Sequence, residues 1–279
     1  MIQSLYTAYS ALMSGQRNVD TIGNNVANIN TDGFKRTRVD FRDAIYARIQ
    51  SPTDNSPPMN LQFGRGVLPY QMITIMEQGP LLESGGEFDL ALQGPGFYAL
   101  ETPQGGVVYS RNSQFSLSVE GDLSFVVDQN GYYLLDTDGD RIFRITAGTR
   151  ADNGMVWTDV PAKVTEDGEF LTGAAYYPAL GADTAVDYTQ RIAVVKFENP
   201  AGLLALQNGY FVPSENSGAP YAAALGAETI VKQGYREGSN VDYAEETTRL
   251  IRAQRAMQLA ARAVTTADEM AQTANAIRQ

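Results

Sequence analysis

The chain has 279 residues, carries 21 Lys and Arg against 32 Asp and Glu for a formal charge of -11, and contains neither histidine nor cysteine. That balance excludes nucleic acid as a partner, because neutralising phosphate needs clustered cations. Without His or Cys there is no Ser-His or Cys-His triad, no disulfide and no usual zinc site, so neither a cofactor nor a metal is expected. A chain this long can bury one large or two modest cores. No basic stretch leads into an apolar run at the N-terminus, and eighteen apolar residues never occur together. Neither a cleavable secretion signal nor membrane insertion is expected.

In chain order, the first predicted element is a helix from Ile2 to Asn28. It lacks proline, and its apolar residues Leu5, Ala8, Leu12, Gly15, Val19, Ile22, Val26 and Ile29 recur at steps of three and four. Asn24, Asn25, Asn28, Asn30 and Gly33 then read as a C-cap and turn. Phe34, Val39 and Phe41 look like anchors of an extended or loosely helical connector. Lys35, Arg36, Arg38 and Arg42 interleave with them, as a solvated face or a contact to the acidic body of a neighbouring subunit. From Ser51 to Leu68 the composition turns to Pro, Ser, Asn and Gly, which marks a loop with a defined job or a disordered linker.

The middle of the chain is strand-like. Alternation runs through Phe88–Leu92, Phe97–Leu100, Gln114–Val119 and Ile192–Phe197, with turn signals at Gly121, Asn130-Gly131, Asp138-Gly139, Asp167-Gly168 and Asn208-Gly209. A chain of hairpins, and so an antiparallel β body, is predicted. Three patterns here could carry chemistry. Asp136, Asp138 and Asp140 resemble the opening of a calcium loop, but Arg141 and Ala147 stand where that loop needs Gly and Glu, which favours a hairpin turn. Gly94-Pro95-Gly96 has dinucleotide-fingerprint spacing, yet Pro95 removes an amide and a strand follows, which favours a tight turn. Glu83, Glu87 and Asp89 could pair as acid and base only if they converge.

The last forty residues repeat the pattern of the first thirty. Leu250, Ala253, Met257, Ala260, Val264, Ala267, Ala271 and Ala274 form a second seam at three-four spacing, widened by Ala256, Ala263, Met270 and Ile277. Alanine at alternate seam positions lets helix backbones approach closely. The expected fold is therefore α+β, with long N- and C-terminal α-helices pairing as a coiled coil, and with an antiparallel β-rich central domain. The expected divisions are an N-terminal helix (1–34), an extended connector (35–79), a β body (80–235) and a C-terminal helix (236–279).

These residues carry a resemblance. Ser4–Ala8 and Gly23–Lys35 are similar to the N-terminal signature of the bacterial flagellar rod and hook proteins, and Glu237–Asp242 followed by Arg249–Ala274 resembles that family's C-terminal helix. Asp89–Tyr98 and Tyr109-Ser110-Arg111 are similar to the start of its β domain. Within the family, the Tyr46–Gly66 connector, Phe197–Leu203 and Ser217–Pro220 look most like the distal rod subunits, with the proximal rod as the rival. The polar stretch Arg150–Asp187 departs from the distal pattern by its length.

The resemblance implies a structural subunit, not an enzyme, with partners that are copies of itself in a helical filament, neighbouring rod and hook proteins, the surrounding ring proteins and the flagellar type III export apparatus. It implies a location in the periplasm-spanning rod of the basal body, reached without a cleavable signal. The residues it assigns to self-assembly are Leu5, Leu12, Val19, Asn25, Val26, Asn28, Phe34, Asn240, Val241, Leu250, Ala253, Met257, Ala260, Val264, Ala267 and Ala271. In such a tube the position and proline content of the Ile45–Leu68 connector suggest that it adds contacts to adjacent subunits and stiffens the shaft. Two other classes stay open at this point: an adhesive or carbohydrate-binding β protein with helical oligomerisation arms, and a carboxylate-based hydrolase.

Overall fold

The computed structural model describes the chain except residues 1, 45–46, 49–61, 65, 121–122, 146–155, 159–162, 177–185 and 278–279. Most of the Ser51–Leu68 connector, the Gly121 turn, Ala147 and much of Arg150–Asp187 lie outside the described residues. The described chain forms two compact units. A helical unit takes 1–29, 36–75 and 241–279, and a β unit takes 30–35 and 76–240.

In the helical unit, α1 (Ile2–Ala27) is proline-free and closes where Asn28 turns back on its own chain, its amide donating to Asn24 O at 3.1 Å and its Nδ2 to Asn24 Oδ1 at 2.8 Å. The predicted connector is a β-hairpin. Strand β1 (Thr37–Asp43) continues through short β2 (Ala47–Arg48), and β3 (Gln62–Phe63) leads back into β4 (Val67–Thr74). β1 and β4 pair antiparallel with Val39 opposite Met72, and the register shifts between Asp40 and Phe41. Val39 faces inward while Arg38 stays exposed, and the irregularity after Asp40 leaves Phe41 exposed as well; pairing with β4, not an alternating pattern, makes this segment a strand. The second helix, α2 (Tyr243–Ile277), begins at a carboxylate cap: Asp242 Oδ1 accepts from Ala244 N at 2.8 Å and Glu245 N at 3.1 Å. Glu245 and Glu246 in its first turn complement the positive end of the helix dipole.

In the β unit every pairing between the described strands is antiparallel. The main sheet runs through Phe143–Ile145, Leu123–Asp128, Tyr133–Leu134, Phe97–Glu101, Val107–Ser110, Tyr210–Val212 and Leu204–Ala205. Phe97–Glu101 is its centre and is covered on both faces, which is why its sequence reads as a continuous apolar run. Tyr98 and Leu100 point into a core with Leu90, Leu92, Val126, Ile142, Phe170 and Ile192. Phe97 and Ala99 point into a second core with Tyr109, Phe197, Leu203 and Phe211. Aromatic rings meet edge to face in both, Tyr98 against Phe115 at 5.3 Å and Tyr109 against Phe197 at 5.0 Å between centroids. Each large side chain buried this way stabilises the unit by about 1.5–3 kcal/mol. All four predicted strand runs overlap strands of the β unit, Leu90–Gln93, Phe97–Glu101, Phe115–Glu120 and Val194–Lys196. The turn at Asn208-Gly209 places both residues in left-handed backbone, φ 62° and 76°, as an Asn-Gly hairpin requires.

Candidate functional site

Within the helical unit, α1 and α2 run antiparallel against each other. A Cβ built on Gly15 would lie 3.5 Å from Met257 Cβ, and further along Asn25 Nδ2 donates to Glu246 Oε2 at 3.2 Å. The C-terminal seam is the face of α2 that is covered: Ala253 and Ala267 are buried, and Leu250, Met257, Ala260, Val264 and Ala271 are half-buried, while their flanking residues are almost all exposed. On α1, Ala8 and Ile22 are buried, Leu12, Val19 and Val26 are half-buried, and Leu5 is exposed.

A second stripe on α1 escaped the sequence reading. Thr7, Ser10, Ser14, Thr21 and Asn25 also recur at helical spacing, and Ser10, Ser14 and Asn25 among them bond the hairpin. Ser14 Oγ donates to Val67 O at 3.2 Å, and Val67 N donates to Ser10 Oγ at 3.4 Å. Asn25 is buried and clamps Thr37 in both directions, its Nδ2 donating to Thr37 O at 2.8 Å and its Oδ1 accepting from Thr37 N at 2.9 Å. The hairpin backbone is thereby fastened to α1 by small hydroxyls and one amide. The available signal was the run of small polar residues at three-four spacing beside the apolar seam.

The helical unit leaves much apolar surface open. Of the nineteen exposed large apolar side chains among the described residues, thirteen lie on it. They include Tyr6, Tyr9 and Met13 on α1, Leu68, Tyr70 and Met72 on β4, and Ile251, Leu259, Met270 and Ile277 on α2. Ile251 and Leu259 occupy the face of α2 turned away from its seam, whereas Met270 and Ile277 flank the seam as exposed edge positions.

The β unit holds a buried charge cluster that the sequence did not announce. Glu237 is fully buried; its Oε1 accepts from Lys35 Nζ at 2.6 Å and Gly79 N at 2.9 Å, and its Oε2 from Arg111 Nε at 2.8 Å. Lys35 also donates to Glu77 O at 2.6 Å, and Arg111 to Gly94 O at 2.7 Å and Gly96 O at 3.0 Å. Burial pushes the Lys35 ammonium below its usual pKa, and the Glu237 carboxylate opposes that shift. Lys35 is therefore neither a solvated residue nor a contact to a neighbour, a correction to the reading of the Lys35–Arg42 cluster. Around it the backbone closes tightly. Gly33 N donates to Glu237 O at 2.7 Å, Asn240 N to Phe34 O at 3.4 Å, and Asn240 Nδ2 to Glu77 O at 3.1 Å. A Cβ on Gly79 would sit 2.0 Å from Gly238 O, so only glycine fits.

The chemical patterns have structural explanations. Gly94-Pro95-Gly96 is a turn between strands whose carbonyls face Arg111. Asp136 Oδ1 accepts from Thr137 N at 2.5 Å and Arg191 N at 3.0 Å, and Leu135 bridges Arg141, so the Asp136–Asp140 segment is a hairpin turn. Asp89 is buried against Arg236 at 2.8 Å and Glu87 lies 3.7 Å from Arg144, so these carboxylates face cations and not each other. Among the described residues no group of three or more acidic side chains is placed to hold a metal ion, and no helix is long and apolar enough to cross a membrane.

Comparison with known proteins places these features in a family. Residues 5–35 match the model described as flagella basal body rod protein, 91–170 that of the flagellar hook protein FlgE/F/G D1 domain, and 232–277 that of the flagellar basal body rod FlgEFG protein C-terminal. The flagellar basal-body rod protein FlgG of Caulobacter vibrioides is 33% identical over 285 residues, covering 99% of this chain and all of that protein. The chain belongs to the flagellar basal-body rod protein family. FlgG of Borreliella burgdorferi is similar at 32% over 287 residues and all of both chains, and FlgF of Mesorhizobium japonicum at 31% over 260 residues, 92% of this chain and 90% of that one. The three rod-family matches take in α1, the start of the main sheet and α2. They also contain Lys35, Arg111 and Glu237 respectively, so the buried cluster joins all three matched segments.

Proposed function

We propose that this chain is a structural subunit of the flagellar basal-body rod, polymerising helically into the distal part of the shaft that passes torque from motor to hook. The observation that carries this reading is the concentration of exposed apolar side chains on the helical unit, in a chain that FlgG proteins match from end to end. A folded subunit with this much open apolar surface is suited to burial against other subunits. α1 and α2 act as a coiled coil, their seams holding Leu12, Val19, Val26, Ala253, Met257, Ala260, Val264 and Ala267. The partners are copies of the same chain, adjoining rod and hook proteins, the rings around the rod and the type III export apparatus. The subunit performs no catalysis and holds no cofactor. The FlgF relative supports a second reading, a proximal rod subunit, which differs in position and not in kind.

Electron microscopy of basal bodies from a strain lacking the chain tests the assignment. Rods that stop short and bear no hook are expected. Complete rods with hooks attached would overturn it, and loss of the whole rod would move the subunit to the proximal position.

A further inference from the structure

The two units divide the charge unequally. The helical unit has eleven arginines, no lysine and nine carboxylates, a net of +2, whereas the β unit has ten basic and twenty-three acidic residues, a net of -13. Within the helical unit, α1, β1 and α2 border a groove of about 410 Å³, with Ile22, Val39 and Ala253 among its apolar lining and three arginines, Arg38, Arg249 and Arg252, against one carboxylate, Glu246, as its charged lining. Arg38 pairs with Asp40 at 2.9 Å, and Arg249 with Glu245 at 2.5 Å and Glu246 at 3.2 Å. Arg252 is exposed and has no carboxylate partner among the described residues.

The β unit holds the complement. The turns Asp136–Asp140 and Thr165–Glu169 are tied to the same backbone, Thr137 N donating to Arg191 O at 3.0 Å and Ile192 N to Gly168 O at 2.8 Å. Asp138, Asp140, Glu166, Asp167 and Glu169, all exposed, lie on these two turns, with the exposed Arg191 on the strand that both turns flank.

We infer that the arginine-lined groove of one subunit receives these acidic turns from the β unit of a second copy. Guanidinium groups match carboxylates in two-point geometry, and the apolar lining lowers the local dielectric around such pairs. A groove and a patch on the same chain can meet reciprocally in a closed pair or head to tail; in a rod the contact is head to tail, and it repeats without closing when its rotation does not close a ring. The inference rests on the rod reading, for which it names a subunit contact.

Because the native chain has no cysteine, single thiols report the contact without background. Arg252→Cys and Asp140→Cys copies, carrying different epitope tags, are expressed together in a strain lacking the native chain, and isolated basal bodies are treated with a short bis-maleimide. Mixed-tag dimers several-fold above same-tag dimers are expected. Mixed-tag dimers no more abundant than same-tag dimers would overturn the contact. As a second measurement, Arg252→Glu should sharply lower the fraction of basal bodies bearing hooks and Asp140→Arg in the same chain should restore part of it; wild-type hook counts for Arg252→Glu would also overturn it. Failure of the tagged native chain to appear in basal bodies at all would sink the rod reading itself, which separates the two.

Discussion

Glu237 sets one buried negative charge between two buried cations, Lys35 and Arg111. Removing it leaves both cations with carbonyl partners alone, and an uncompensated buried charge typically costs about 3–5 kcal/mol. Glu237→Gln is therefore expected to destabilise the β unit by about that amount, with Glu237→Gln combined with Lys35→Met recovering part of the loss because one orphaned charge is gone. Urea unfolding followed by near-ultraviolet circular dichroism, to which the buried Tyr98, Tyr109 and Tyr210 contribute, reads this unit; a Glu237→Gln midpoint indistinguishable from wild type would refute the role. None of this was legible beforehand. Lys35 stands in a run of arginines and looks solvated, and Glu237 lies 202 residues further along the chain. Only tertiary closure tells a buried ion pair from two surface charges. By contrast, Gly94-Pro95-Gly96 is legible as a turn, because Pro95 and the apolar strand after it are local facts.

At the level of elements, the helices were legible and their second faces were not. The seams of α1 and α2 follow from apolar spacing, and both helices lie where that spacing put them. The hairpin was missed because β1 and β4 are half-exposed strands, in which the alternation is weakened by Arg38, Arg42, Pro69 and Gln71. It is held by α1 hydroxyls and Asn25, small polar residues whose helical spacing carries no hydrophobic signal. Gly15 gives the sharpest test of how closely the helices approach. A Cβ there would make ordinary contact with Met257 at 3.5 Å, so Gly15→Ala fits and gains helix propensity, about 0.5–1 kcal/mol. Gly15→Leu adds three further carbons to a contact already at van der Waals distance, and overpacking of this kind typically costs about 1–3 kcal/mol. Helical circular dichroism on heating should place the two variants on opposite sides of wild type. Equal melting for both would mean that α1 and α2 do not pack closely at this point.

Over the whole molecule, stability and assembly draw on different residues. The β unit buries its large side chains in two cores and carries most of the negative charge, which favours solubility of the free subunit. The helical unit is nearly neutral and holds most of the exposed apolar surface, including Leu259 at 65% exposure on the uncovered face of α2. A residue that touches little in its own subunit contributes little to its folding, and surface substitutions of this kind usually change stability by about 0.5 kcal/mol or less. If that face is buried between subunits, a charge placed there must lose its hydration on assembly without a partner, a far larger cost. Leu259→Glu is accordingly expected to melt like wild type as a purified subunit and yet fail to support hook-bearing basal bodies in cells. Calorimetry of the purified chain and electron microscopy of the basal bodies measure the two halves separately. Normal hooks with Leu259→Glu would show that α2 keeps this face in water within the rod, and the exposed apolar stripe would then need another partner; a large drop in melting temperature would instead place Leu259 in the subunit's own packing.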